Sequence, residues 1–145
     1  MAHEVKWLIE NHLILNTYSG TLEMTDFFGV AEKNIELMTS TQNRIHIIAD
    51  LTDLESVHPK LGHLSELVSI TRTFMGQPNL GTLVAHGTDN KFIKFLGTMI
   101  MQLNKTEWRV FPTFEEVIRH LIHVDPSLKS QLEASLPMVT DDSSG

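Results

Sequence analysis

The chain has 145 residues, with 18 acidic and 11 basic side chains and a formal net charge of −7. No cluster of lysine and arginine stands out. This argues against nucleic acid or an anionic membrane surface as the partner, because both are bound through concentrated positive charge. Cysteine is absent, which excludes disulfides, thiolate zinc sites and a cysteine nucleophile.

The length fits a single domain, which we place at residues 1–137, followed by a flexible acidic tail at residues 138–145. The N-terminus has no apolar run after a basic start, so no signal peptide is expected. No stretch approaches about 18 consecutive apolar residues, so no membrane span is expected. Together these features predict a cytoplasmic protein.

The first part of the chain predicts a hairpin and a helix. Residues 5–18 alternate apolar and polar side chains around a central turn, which is typical of two paired strands. Residues 25–39 carry apolar side chains at helical spacing, and either Thr25 or Asp26 could cap the start of this helix.

Strands and helices alternate over the rest of the chain. Ile45–Ala49 is an apolar run typical of an inner strand, and we expect it to end in a loop that begins at Asp50. The later elements are predicted in this order: a helix at 61–74, a strand at 80–85, a helix at 90–104, a strand at 108–111, a helix with a capping box of Thr113 and Glu116, and a short helix after Asp125.

This order indicates the α/β class. A strand followed by a helix and another strand forms a crossover that makes the two strands parallel. We therefore predict a mixed, mostly parallel sheet of four to five strands, with an N-terminal β-hairpin and with helices packed on it.

Two segments of the sequence carry a family resemblance. Ile47–Thr52 resembles the signature of STAS domains, the family of the anti-sigma factor antagonists, in which hydrophobic residues precede Asp-Leu-Ser/Thr. Trp108–Phe111 followed by Thr113–Val117 resembles the last strand and closing helix of the wider STAS and CRAL-TRIO-like group. The resemblance implies a STAS-like fold and a non-enzymatic, regulatory role that binds a protein partner, in bacterial signalling.

One departure concerns the phospho-acceptor serine. In phospho-switching STAS domains the loop after this strand continues to an Asp-Ser-Ser-Gly segment. The corresponding residues here are Val57–Gly62, which contain no hydroxyl group, and Ser56 and Thr52 are offset from the expected position. We therefore predict that the usual serine switch is missing.

Polar residues follow the ends of the predicted strands. Because ligands of open parallel sheets bind outside the carboxyl ends of the strands, we predict a partner-binding or ligand-binding edge there. Its residues are Asp50, Thr52, Asp53, Ser56, His58, His86, Thr88 and Asp89. The alternative is that they only form turns and helix caps, where aspartate and threonine are common.

The predicted helix at residues 90–104 is apolar around almost its whole circumference, which requires cover on more than one side. Ile93, Ile100 and Met101 are the candidates for the outer face. The cover could be the C-terminal helix, a second subunit in a homodimer, or a lipid-like ligand. The last option makes a carrier of a small apolar ligand the alternative function.

Catalysis has weaker support in the sequence. Glu116, His120 and His123 are spaced so that they could share one face of a helix, which leaves a metal-dependent enzyme as a third hypothesis. We expect this face to be simply exposed, because the apolar residues occupy the opposite stripe. No nucleophile elbow, dinucleotide-binding loop or phosphate-binding loop is present. We therefore assign no catalytic residue, no metal and no cofactor.

Overall fold

The computed structural model describes residues 3–58, 64–90, 94, 98 and 109–135. The strands of this part of the chain are β1 (His3–Ile9), β2 (Leu13–Glu23), β3 (Ile45–His58), β4 (Leu80–His86) and β5 (Arg109–Phe111). The helices are α1 (Met24–Thr39), α2 (Leu64–Met75), α3 (Phe114–Val124) and α4 (Lys129–Ser135), with a 3₁₀ turn at Pro126–Leu128 between the last two.

The strands form one sheet in the order β1-β2-β3-β4-β5. β1 and β2 are antiparallel, and each later neighbouring pair is parallel. The predicted mixed sheet with an N-terminal hairpin is therefore confirmed. Asn11, in the turn between β1 and β2, has a φ of 67°, a conformation that asparagine tolerates better than most residues.

Helices cover both faces of the sheet. Side chains along an inner strand alternate between the two faces, so the same strand packs against helices on both sides. Ile45 and Ile47 of β3 pack toward α1 and α2, whereas Ile48 packs toward α3 and α4. We call these sides the α1 face and the α3 face. Core residues on the α3 face include Val84, Val117, Ile118, Leu121, Leu128 and Leu132.

The helix α1 begins one residue earlier than predicted and is capped differently. β2 runs directly into it, and the N-cap is Glu23. Asp26 is the third helical residue, and its Oδ2 accepts a hydrogen bond of 2.8 Å from the Glu23 N–H. The expectation that Thr25 or Asp26 is the cap was wrong, because the strand occupies the residues that a loop would have supplied.

Two predicted strand ends were also wrong. β2 continues past residue 18 to Glu23, and β3 continues past Ala49 to His58. The two extensions pair with each other, from Ser19 opposite Asp53 to Glu23 opposite His58. Polar local sequence favours a loop here, but pairing between distant segments decides strand formation.

Several predicted features lie outside the described residues. The helix predicted at 90–104 is described only at Lys94 and Thr98, both helical, so Ile93, Ile100 and Met101 are not placed. The same holds for the predicted tail at 138–145, and the domain limits remain a prediction. None of the helices in the described ranges has the length and apolar character needed to cross a membrane.

Candidate functional site

Three adjacent parallel strands carry three residues in register, at the carboxyl ends of β4 and β5 and in the middle of β3. Asp50 of β3 pairs with His86 of β4, and His86 pairs with Phe111 of β5. Paired residues of neighbouring strands project from the same face of a sheet. Asp50, His86 and Phe111 therefore form a row across the α3 face, at the place where β4 and β5 end.

His86 is buried at the centre of this row, with 5% of its surface exposed. Its Nε2 lies 3.6 Å from Asp50 Oδ1, which is too long for a hydrogen bond, and it has no other hydrogen-bond partner among the described residues. The imidazole packs at a tilt against the Phe114 ring, with centroids 5.3 Å apart. Burial lowers the pKa of His86 and outweighs the opposing attraction of Asp50.

Asp50 is held by its own strand. Asp50 Oδ1 accepts hydrogen bonds from the Thr52 N–H at 3.0 Å and from the Thr52 hydroxyl at 2.6 Å. Gly87 packs against Thr52 with a φ of +92°, and a Cβ added there would collide with the Thr52 hydroxyl and backbone. Only glycine allows the chain leaving β4 to approach β3 so closely.

The residues from Asp53 to His58 were predicted in a loop, and this prediction was wrong, since they lie within β3. Beyond Asp50, the described part of the chain pairs this strand only with β2, because β4 stops at His86. Ser56 Oγ lies 2.9 Å from Thr21 Oγ1. His58 Nδ1 lies 3.8 Å from Glu23 Oε1, and Asp53 is exposed.

Thr88 and Asp89 follow Gly87 directly. Thr88 Oγ1 accepts a hydrogen bond of 3.1 Å from the Asn90 N–H, and Asp89 is exposed. The structure thus places all the residues predicted for the edge along the extension of β3 and the exit of β4. We call this set the rim: Asp50, Thr52, Asp53, Ser56, His58, His86, Thr88 and Asp89.

The sequence did not single out several neighbours of the rim. Gly87 follows the predicted strand at 80–85 closely, but no role was assigned to it. Phe114 was predicted only as part of the start of a helix. Thr21 and Glu23 were missed because their segment was not recognised as a strand. The glycine directly after the predicted strand at 80–85 and His86 was the available signal that two backbones approach closely.

A second buried histidine lies at the opposite end of the sheet. His46 is 1% exposed, and its Nδ1 accepts a hydrogen bond of 3.0 Å from the Thr82 N–H. Its Nε2 therefore carries the proton and donates to Asp125 Oδ2 at 3.1 Å. The hydrogen bonds to Ser127 and His46 lower the pKa of Asp125. His46 is therefore packed inside the protein rather than exposed to solvent.

The residues proposed for a metal site lie on α3. His123 is exposed, while Glu116 and His120 are partly buried. The His120 ring contacts Phe111, with centroids 5.2 Å apart. Burial, together with the positive charges of Arg109 and His123, lowers the pKa of His120. No group of three metal-capable side chains occurs within the described ranges.

A groove of about 600 Å³ lies far from the rim, where α1 ends and where β3 and β4 begin. Its lining mixes polar and apolar surface and consists of Met38, Thr39, Thr41, Gln42, Arg44, Gln77, Pro78, Asn79 and Leu80. The Asn79 amide donates to the carbonyls of Met38, Thr41 and Asn43, which ties the end of α1 to the start of β4. This groove does not have the apolar lining that a lipid carrier needs.

The fold is similar to that of two solved proteins. One is the anti-sigma factor antagonist SpoIIAA in its unphosphorylated form, with 13% identity and a TM-score of 0.56, covering 83% of this chain and 97% of that chain. The other is an uncharacterized protein of the DUF3478 family from Shewanella loihica with a SpoIIAA-like fold. It has 12% identity and a TM-score of 0.54, covering 83% of this chain and 92% of that chain.

No family model matches the sequence, and no curated protein matches it. The structural similarity to these two proteins nevertheless establishes the architecture. The chain has a STAS-type fold, as its sequence resemblance predicted.

Proposed function

We propose that this protein is a non-catalytic regulatory module that binds a protein partner through the rim, in the cytoplasm of a bacterium. The proposal is supported by the fold, which is that of an anti-sigma factor antagonist. One observation carries the choice of surface: β3 extends beyond β4, so the segment after Asp50 has a neighbouring strand on one side only within the described chain. A strand edge of this kind can accept contacts from another protein.

The charge of the rim indicates the kind of partner. Asp53, Glu55 and Asp89 are exposed, and Glu23 is exposed at the end of the paired strand. Among the described residues of the rim, His58 and His86 are the side chains that could oppose them with positive charge; His58 lies beside Glu23, and His86 is buried. We infer a partner with basic side chains at its contact surface, since complementary charge speeds association and selects the partner.

We further propose that the module works without a serine phospho-switch. The serine nearest to the expected position, Ser56, lies within β3 and contacts the Thr21 hydroxyl. A serine in a paired strand is less accessible to a kinase than one in a loop. The expected phospho-acceptor position itself falls at residues 57–62, which offer no hydroxyl.

The test is partner capture from the native host with tagged protein. The rim variant carries Asp53→Lys in the rim and Glu55→Lys beside it on β3. The matched control carries Glu32→Lys and Glu133→Lys, which make the same change in net charge at exposed positions on α1 and α4. The rim variant should lose its partner by about tenfold or more, since like charges now meet, while the control should retain it.

The same preparations should show equal free energies of unfolding, which separates loss of binding from loss of folding. Equal capture of one partner by the wild type and by the rim variant would contradict the proposed surface. Loss of capture in both variants would show that overall charge, not the rim, governs binding.

A further inference from the structure

The outer edge of β1 offers a second place where another chain can add to the sheet. β1 lies at the end of the strand order, paired with β2 on one side and with no strand of the described chain on the other. Its ladder with β2 is regular from His3 to Trp7, and the register shifts between Trp7 and Ile9. The regular stretch is therefore centred on Val5.

The two edges of the sheet differ in how well they could accept a strand. β5, at the opposite edge, has three residues in the described part of the chain, and Pro112 follows it directly. Short edge strands and proline are common ways to prevent further pairing. β1 has seven residues and no proline, and its charged residues are Glu4 and Lys6.

The start of β1 is fixed by contacts within the single chain. His3 Nδ1 lies 2.9 Å from Asp26 Oδ1 at the start of α1, and Val5 and Trp7 pack into the core of the α1 face. Glu4 and Lys6 project from the other face, where their side chains are 61% and 56% exposed and lie 3.3 Å apart. An edge ordered in this way loses little conformational freedom on pairing.

We propose that two copies of this chain pair through β1, antiparallel about a two-fold axis at Val5, to form one continuous sheet. In this register Glu4 of each copy lies opposite Lys6 of the other, so two pairs of opposite charge form across the seam. Val5 lies opposite Val5, and His3 lies opposite Trp7. Cross-strand pairs of these kinds stabilise antiparallel sheets.

The same charges destabilise the neighbouring registers of the pair. A shift of two residues one way brings Glu4 opposite Glu4, and a shift the other way brings Lys6 opposite Lys6. Like charges directly opposite each other destabilise a strand pair. The pattern around Val5 therefore favours a second copy of this strand in a single register over a slipped one.

The test uses charge exchange, with the oligomeric state measured by analytical ultracentrifugation over a range of concentrations. The wild type should dimerise. Glu4→Lys alone and Lys6→Glu alone should each weaken the dimer by about tenfold or more, because both cross-strand pairs become repulsive. The double variant with both changes should recover wild-type dimerisation. Both positions are exposed, so folding is not at risk.

The register has an independent test, because the chain contains no cysteine. A mixture of the Glu4→Cys and Lys6→Cys variants should form a heterodimeric disulfide under mild oxidation, whereas neither variant should cross-link well alone. A wild type that stays monomeric at every concentration would overturn the proposal. A dimer that is insensitive to the single charge changes would place the seam elsewhere and overturn it too.

Discussion

The two ends of the sheet each hold a buried histidine beside an aspartate on the α3 face, yet the two pairs differ. At the start of β3, both ring nitrogens of His46 are hydrogen-bonded, to Thr82 and Asp125. At the end of β4, His86 Nε2 lies 3.6 Å from Asp50 and makes no hydrogen bond within the described chain. The first histidine joins three elements, and the second holds a buried polar atom that has no hydrogen-bond partner among the described residues.

This difference indicates where the fold is optimised for stability. A buried polar atom without a partner costs free energy, whereas one with two good partners fixes the geometry around it. Unpaired buried groups tend to occur where function, rather than stability, constrains the sequence. The comparison therefore agrees with placing the binding surface at the His86 end.

The largest effect should come from replacing His46 by leucine, and the same replacement of His86 is the comparison. His46→Leu leaves the Thr82 N–H and the Asp125 carboxylate without their partner, and should lower the free energy of unfolding by about 2–4 kcal/mol. His86→Leu removes a ring whose Nε2 has no hydrogen bond within the described ranges, and should change the free energy of unfolding by less than about 1 kcal/mol. Urea unfolding measures both. Equal losses of the free energy of unfolding in the two variants would contradict the proposed difference between the two histidines.

Glycine substitutions test the approach of β4 to β3 at the rim. Gly87→Ala should cost about 2–3 kcal/mol, because φ is positive and the new Cβ would meet Thr52. Gly20→Ala is the matched control, since Gly20 has a φ of +63° with nothing within 4 Å of an added Cβ. It should cost only about 1 kcal/mol, for the backbone alone.

Thermal or urea unfolding of the two glycine variants separates strain in the backbone from collision with Thr52. If both variants lose the same free energy, then Thr52 is free to move aside. In that case the close contact with Gly87 does not fix the position of Asp50.

The smallest effect should be a dependence on pH that arises at His86. Its pKa is lowered from 6.5 in the folded protein, so the unfolded chain takes up a proton first as the pH falls. Stability contributed by neutral His86 is therefore present above about pH 6.5 and is lost as the pH falls through the folded pKa.

Urea midpoints of the wild type and of His86→Leu, compared between about pH 7 and pH 5, measure this effect. The wild type should lose more stability than the variant over this range. His120, whose pKa is also lowered, acts in the same direction but is present in both proteins. Parallel pH curves would show that His86 is protonated as easily in the folded state as in the unfolded one.

Parts of the rim could be predicted and parts could not. The run from Ile45 to Ala49 identified an inner parallel strand, and this was enough to bring Asp50 and His86 to one edge. The extension of β3 to His58 was not predictable, because its polar residues favour a loop until β2 supplies a partner. Within the described residues His86 Nε2 lacks a hydrogen bond because the Asp50 carboxylate lies 3.6 Å away, and no sequence pattern encodes that distance.

By itself, the sequence determined the alternation of strands and helices, the parallel order of the inner strands and the acidic, cysteine-free character of the chain. These follow from local hydrophobic spacing and composition. Only the tertiary structure decided where β2 and β3 end, which histidine has both ring nitrogens hydrogen-bonded, and which residues face each other across the sheet. Those features depend on contacts between segments far apart in the chain, and local patterns do not specify such contacts.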